Sequence, residues 1–305
     1  MKRLRRLSRR RSSRREEGAF VIEGPILVAD ALAAGVHVSE VFHEPGFAPD
    51  SLIAACVDCG VPVFEVAPGV FDSTLATPSP QPVAAVAATS VLVSVDAVLD
   101  AAVERSAAVL VLVDVSDPGN VGTLLRAAEA AGCAGVIAVG QGVDLYNPKV
   151  VRASAGSLFR LPLADSPDSD RVFAALAARS VASVATVVSG GTGHLDAALD
   201  DALGGACAIW LGNEAHGMDE SDTGRCELRV TIEMVPGPES LNVAMAGTVL
   251  CFEAFRRRHA AGVAPASTVP FSQQSQQSQQ SQQSMHSQQS QQSQQQLNRS
   301  PSRDQ

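Results

Sequence analysis

The chain reads as an α/β protein in which a mainly parallel sheet, covered by helices on both faces, follows a smaller α/β unit. Three observations lead there. First, near-continuous apolar runs recur in the second half, as "VLVLVDV" (109–115), "GVIAVG" (135–140), "FRLPL" (159–163), "VASVATVV" (181–188), "CAIWLG" (207–212) and "LRVTIEM" (228–234). Strands buried on both faces belong in a parallel sheet. Second, helical patterns separate these runs, and that alternation builds such a sheet. Third, a shorter alternation precedes them: "AFVIEG", "PILVADALAAG", "VSEVFH", "SLIAACVDCG" and "VPVFEV". Pro25 and Gly35 stand at the start and end of its first helix, the positions those residues favour.

Composition divides the 305 residues further. Residues 1–15 form a basic arm, 16–95 the small unit, 96–107 an Ala-rich connecting helix or linker, 108–262 the large unit, and 263–305 a Ser/Gln-rich tail. The tail has almost nothing apolar to bury and is expected to be disordered. A net charge of −9 hides nine cations before Glu16 and a strongly acidic body after it. Such a body argues against a generic polyanion binder, so a nucleic-acid partner would need positive potential gathered at the arm and at one patch. The arm lacks the apolar stretch of a secretory signal, although its acid-free Arg/Ser composition also suits an organelle transit peptide. No run reaches the length that spans a bilayer, and a cytoplasmic location is expected. Six cysteines sit mostly within apolar runs, as reduced buried thiols do. The single CxxC of Cys56 and Cys59 lacks the further ligands of a zinc site, so no metal is expected.

Ligands of parallel sheets bind beyond the carboxyl ends of the strands. Three loops lie there. "DPGNVGTLLRAAEAAG" (117–132) is neither a P-loop, having no lysine, nor a dinucleotide fingerprint, having no third glycine. It reads as a turn at "DPGN" and a helix from about Val121 to Ala131, closed by Gly132, with Arg126 off the buried stripe of Val121, Leu124, Leu125 and Ala128. "WLGNEAHGM" (210–218) ends a strand in Gly212 and then crowds Asn213, Glu214 and His216 together, more hydrogen-bonding side chains than a turn requires. "MVPGPESLNVAMAGTVLCFEAFRRR" (234–258) enters a helix with Ser240 as the expected cap and Leu241, Ala244, Met245, Thr248, Val249, Phe252 and Phe255 as the expected buried stripe. Asn242 in its first turn is a poor helix former and needs a reason.

The order of "DPGNVGTLLRAAEAAG", "LYNPKVVRASAGSLFRLPL", "LGNEAHGM" and "ESLNVAMAG" closely resembles the SpoU (TrmH-like) branch of the SPOUT superfamily of RNA methyltransferases, over roughly residues 108 to 260. The arm and "EEGAFVIEGPILVADALAAG" resemble that family's N-terminal substrate-binding domain, which favours an RNA arm over a transit peptide. The resemblance implies a trefoil-knotted sheet, an S-adenosylmethionine pocket beside a homodimer interface, and transfer of methyl to a ribose 2'-hydroxyl, in large-subunit (23S) ribosomal RNA or else in transfer RNA. It implies catalytic roles for Asn120, Arg126, Glu214, Ser240 and Asn242, and cofactor contacts at Leu211, Gly212, Gly217, Ile232 and Leu241. One departure stands out: "IEMVPG" has Glu233 where relatives carry proline and Pro236 where they carry glycine, a change that bears on cofactor affinity. Lys149, Arg152 and Arg160 are read either as the RNA-binding patch or as a solvated helix face. A nucleotide-dependent α/β enzyme, and an RNA-binding relative without transfer activity, are the competing readings.

Overall fold

The computed structural model describes residues 1–89, 92–237 and 239–263. Its first unit comprises α1 (Lys2–Arg9), α2 (Arg11–Glu17), β1 (Ala19–Glu23), α3 (Pro25–Ala33), β2 (Val38–His43), α4 (Asp50–Asp58), β3 (Val63–Glu65), α5 (Val70–Thr74) and β4 (Val83–Ala88). The four strands form a mixed sheet in the order β1-β4-β2-β3. β4 pairs antiparallel with both β1 and β2, whereas β2 and β3 run parallel. Period-two alternation gives this sheet two buried faces. Phe20 and Ile22 join the main core, while Ala19 and Val21 join a small cluster with Leu4 and Leu7 of α1.

That cluster corrects the reading of residues 1–15 as an arm. Leu4 and Leu7 are three apart, lie on one side of α1, and are fully buried against the outer face of the small sheet. The basic side chains remain on the other side, and several are paired: Arg3 and Arg6 with Glu17, and Arg14 with Asp144 at 2.6 Å.

The second unit comprises α6 (Val95–Arg105), β5 (Ala108–Val113), α7 (Pro118–Ala130), β6 (Gly135–Val139), α8 (Pro148–Ala153), β7 (Leu163–Ser166), α9 (Ser169–Ala177), β8 (Ala182–Thr186), β9 (Thr192–Gly193), α10 (Asp200–Gly204), β10 (Cys207–Leu211), α11 (Glu220–Thr223), β11 (Leu228–Thr231) and α12 (Val243–Ala260). Its seven strands run in the order β7-β6-β5-β10-β8-β11-β9, and every pairing is parallel. Leu110 and Leu112 of β5 face α7, α8 and α12, whereas Val109 and Val111 face α6 and α9, so the sheet is covered on both sides. The segment expected as a connecting helix or linker is α6, a layer of this unit: Ser94 Oγ accepts from Ala97 N–H, and Val95, Val98, Leu99 and Ala102 are buried at helical spacing. The strand expected at 159–163 begins only at Leu163, because Ser157–Phe159 is a 3-10 turn that buries all three residues.

One core runs through both units, from Phe20 and Val28 to Leu158 and Leu250. Across the same junction Tyr146 donates its hydroxyl to Thr89 O at 2.6 Å. Among the described residues no helix is long and apolar enough to cross a membrane, and no group of three His, Cys, Asp or Glu side chains could hold a metal ion. Cys56 is buried and Cys59 exposed. The tail lies, from residue 264 on, outside the described residues.

Candidate active site

Strand order reverses at β5 and β10: β6 and β7 lie to one side of this pair, β8, β11 and β9 to the other. A parallel sheet opens a crevice at such a switch point. The loop after β5 enters α7 there. Asp117 Oδ1 accepts from Asn120 N–H at 2.9 Å and Pro118 occupies the first turn, so "DPGN" is the capped start of the helix and not a turn before it. Capping fixes the orientation of Asn120.

Glu214, in the loop after β10, is held by this helix start. Its Oε1 accepts from Asp117 N–H at 2.9 Å and from Asn120 Nδ2 at 3.0 Å, and its Oε2 from Ser116 N–H at 3.1 Å and Ser116 Oγ at 3.0 Å. Desolvation alone would raise the pKa of this carboxyl. The donors from Asn120, Asp117 and Ser116 outweigh it and bring the group down to about 2. The loop is braced from within as well. Asn213 and Gly217 exchange backbone hydrogen bonds at 3.0 and 2.9 Å, and Asn213 Nδ2 reaches Asp114 O at 2.9 Å. At Gly212 an added Cβ would come within 2.3 Å of the Gly217 carbonyl carbon and the Met218 nitrogen, so only glycine lets the two arms of the loop close.

The third loop completes the cluster. Asn242, not Ser240, caps α12: its Oδ1 accepts from Ala244 N–H at 2.9 Å and Met245 N–H at 3.3 Å. Its Nδ2 donates to Asn120 Oδ1 at 3.0 Å. One asparagine therefore starts the helix and ties it to α7, which accounts for a poor helix former at this place. Ser240 lines the same space with its hydroxyl unbonded among the described residues.

The loop after β10 and the loop before α12 line a cavity of about 520 Å³, within the range of small-ligand sites, while Asn120 stands behind them, outside the lining, bonded to Glu214 and Asn242. Leu211, Gly212, Gly217, Ile232 and Leu241 all line the cavity, as do Glu214, Ser240 and Asn242. The wall opposite them comes from Thr186, Val187 and Val188 at the carboxyl end of β8, which the sequence reading did not single out. Thr186 Oγ1 is buried there without a hydrogen-bond partner among the described residues, a polar atom left for a ligand.

Comparison with known proteins identifies the arrangement. Residues 107–252 match the SpoU rRNA Methylase family, and residues 1–85 match the MRM3-like substrate binding domain. The chain is 36% identical over 144 residues to a 23S rRNA (uridine(2479)-2'-O)-methyltransferase of Streptomyces viridochromogenes, covering 47% of this chain and 50% of that protein. It is 30% identical over 255 residues to an uncharacterized tRNA/rRNA methyltransferase of Mycobacterium tuberculosis, covering 82% of this chain and 78% of that one. Among solved structures, an AdoMet-bound rRNA methyltransferase from Sinorhizobium meliloti superimposes with a TM-score of 0.72 at 28% identity, covering 84% of this chain and 93% of that one. The chain belongs to the SpoU rRNA methylase family.

Membership in the SpoU family implies the trefoil threading of the C-terminal segment. It also frames the departure at "IEMVPG". Glu233 uses its N–H toward His194 Nδ1 at 3.4 Å, and Pro236 is exposed and does not line the cavity. Arg126 of the first SpoU motif is exposed on α7 with no hydrogen bond or ion pair among the described residues, and it stands outside the cavity lining. The expected cationic patch is largely committed elsewhere. Arg160 forms a two-pronged pair with Glu129, and Arg152 donates to Ser79 O of the first unit at 3.2 Å. Lys149 alone is exposed and unpaired among the described residues.

Proposed function

We propose that this chain is an S-adenosylmethionine-dependent RNA methyltransferase that modifies a ribose 2'-hydroxyl in large-subunit (23S) ribosomal RNA, as a homodimer in the cytoplasm. The observation that carries the reading is a cavity at the switch point of a parallel sheet, lined by the loops after β10 and before α12 and braced from behind by Asn120, which bonds Glu214 and Asn242 of its lining. The cavity fits the methyl donor. Leu211, Ile232 and Leu241 offer apolar surface to an adenosine, the Gly212–Gly217 backbone allows close approach, and Thr186 Oγ1 lacks a partner. The chain aligns with half of the Streptomyces protein's length, whose name supports the ribosomal substrate.

When bound, S-adenosylmethionine supplies an electrophilic methyl group. The chain's own residues have other tasks. Glu214 is an ionised acceptor whose four hydrogen bonds lock the loops after β5 and β10 together, so the cavity wall is set before a substrate arrives. Asn120 and Asn242 carry that order to α12. Arg126 stands about 9 Å along α7 from Asn120 at the usual helical rise. Its guanidinium stays charged and cannot serve as a base. It grips the phosphate beside the target and steadies the oxygen as charge develops, while the proton passes to that phosphate or to water.

The test is tritiated methyl transfer to total RNA from a strain lacking the gene, with the label mapped to an alkali-resistant linkage. Labelled 23S RNA supports the proposal, and label in transfer RNA would move the substrate to the second reading of the sequence. Arg126→Lys keeps the charge and loses the fork. It is expected to lower turnover on the order of a hundredfold while S-adenosylmethionine affinity stays unchanged. Normal turnover in that variant would remove the two-pronged grip.

A further inference from the structure

A second cavity, of about 570 Å³, opens between the two units on the other side of the β5–α7 loop. Its floor is apolar, built from Leu112, Val115, Val121, Leu145 and Tyr146 at the carboxyl ends of β5 and β6. Its rim is cationic. Arg11 and Arg15 of α2 approach from the first unit and Arg171 of α9 from the second. Arg11 spends one nitrogen on Gly142 O at 3.2 Å, and its Nε is buried without a partner among the described residues. The side chains of Arg15 and Arg171 are exposed and make no hydrogen bond or ion pair among the described residues. Two carboxylates share the lining. Asp144 is neutralised by Arg14 at 2.6 Å, which leaves Asp165 as the free acid against three cations.

We propose that this cleft holds a nucleotide of the RNA strand near the methylated one, with the base on the apolar floor and the flanking phosphates gripped by Arg15 and Arg171. The inference rests on the RNA-methyltransferase reading above and assigns its substrate grip to residues outside the 149–160 segment. Three features favour an RNA strand over a free nucleotide or a protein. Unpaired guanidinium groups stand on opposite rims, one from each unit, as a chain with a phosphate on either side of the base requires. Exposed Lys2, Arg5 and Arg10, also without side-chain partners among the described residues, continue the positive charge along the first unit of an otherwise acidic protein. The cleft is also separated from the methyl-donor cavity by the β5–α7 loop and Glu214. Val115 and Val121 line the cleft, and Ser116, Asp117 and Asn120 between them hold Glu214 on the other side. A strand crossing that five-residue wall reaches both cavities.

The full-length protein and its Arg15→Glu/Arg171→Glu variant are titrated with a large-subunit ribosomal RNA transcript at several salt concentrations. Loss of two phosphate contacts is expected to weaken binding at least about tenfold at low salt and to reduce the salt slope by about two. S-adenosylmethionine affinity, measured in parallel, is expected to be unchanged. Should charge reversal unfold the chain, Arg15→Gln/Arg171→Gln gives the same readout with a milder change. RNA affinity and salt slope equal to the wild type would overturn the inference. So would uridine monophosphate binding that is lost in the variant while RNA binding persists, since the cleft would then serve a free nucleotide. Failure of wild-type methyl transfer would instead sink the enzyme reading, and the RNA titration remains interpretable without it.

Discussion

Glu214 is the side chain on which the site's internal order depends most. Its carboxyl is drawn down to about 2 in the folded chain, below the 4.5 of a free glutamate. A group whose folded pKa is depressed stabilises the fold above its unfolded pKa, and that contribution fades as pH falls toward the folded value. Thermal unfolding of the wild type between about pH 4.5 and 2 should therefore lose stability that Glu214→Gln has already lost at neutral pH. Parallel unfolding curves for the two proteins across that window would deny Glu214 this role. The glutamine amide keeps an acceptor for only part of the network, because its NH2 faces donors at Ser116, Asp117 or Asn120. Glu214 was legible in the sequence, since Glu and His in a glycine-bounded loop exceed what a turn needs, and Asn120 was named only through the family resemblance. Ser116 was not legible. It binds Glu214 partly through its backbone N–H, and backbone donors leave no mark on residue type. Asp117 followed by Pro118 did carry a signal, the pairing of a cap with a first-turn proline, and it moves the helix start three residues earlier than periodicity indicates.

Apolar periodicity placed the buried stripe of α7 correctly, at Val121, Leu124, Leu125 and Ala128, but misplaced that of α12, where the elements pack closely. The buried residues of α12 include Ala244, Ala246, Gly247, Leu250, Cys251 and Ala254, whereas Met245 and Phe252 from the expected stripe are 61% and 45% exposed. A Cβ at Gly247 would lie 2.3 Å from Leu124 Cδ2 and 2.7 Å from Leu211 Cδ1. At this level no side chain fits between α12, α7 and β10, and Met245 and Phe252 turn outward while Leu250, one turn on from Gly247, is buried. Gly247→Val should cost about 1–3 kcal/mol by overpacking, measurable by denaturant unfolding, and should weaken S-adenosylmethionine binding through Leu211. Unchanged stability would mean that the helices are free to separate. At the far end of α7, Arg258 of α12 donates to Ala131 O at 2.7 Å and to Gly132 O at 3.3 Å, meeting carbonyls that the helix leaves open. β4 escaped the sequence reading for a related reason. "VAAVAA" is rich in alanine, a weak strand former, yet it is the strand through which β1 and β2 are joined.

At the scale of the whole molecule, the parallel sheet followed from alternation, because parallel strands covered on both faces must be apolar throughout, whereas the knot rested on the family resemblance. The arrangement of the units did not follow from it. The basic start of the chain suggested a free arm, and the two leucines that bury α1 are too few to register as an amphipathic pattern among so many arginines. Exposed Leu241, in the loop before α12, and Met245 and Phe252 on the helix leave an apolar face beside the cavity, and the proposed homodimer covers it with a second copy. Met245→Glu/Phe252→Glu should shift the protein from dimer to monomer in sedimentation. A wild type that sediments as a monomer would remove the dimer from the proposal.

The most direct test of the cavity between the loops after β10 and before α12 is calorimetric titration with S-adenosylmethionine of the wild type and of Gly212→Ala, whose new Cβ would push against the Gly217 backbone. The account predicts one site per chain in the wild type, and binding weakened at least about tenfold in a variant that still folds, the size of a lost well-made contact or two. A wild type that does not bind S-adenosylmethionine, or a folded variant that binds it equally well, would contradict the account.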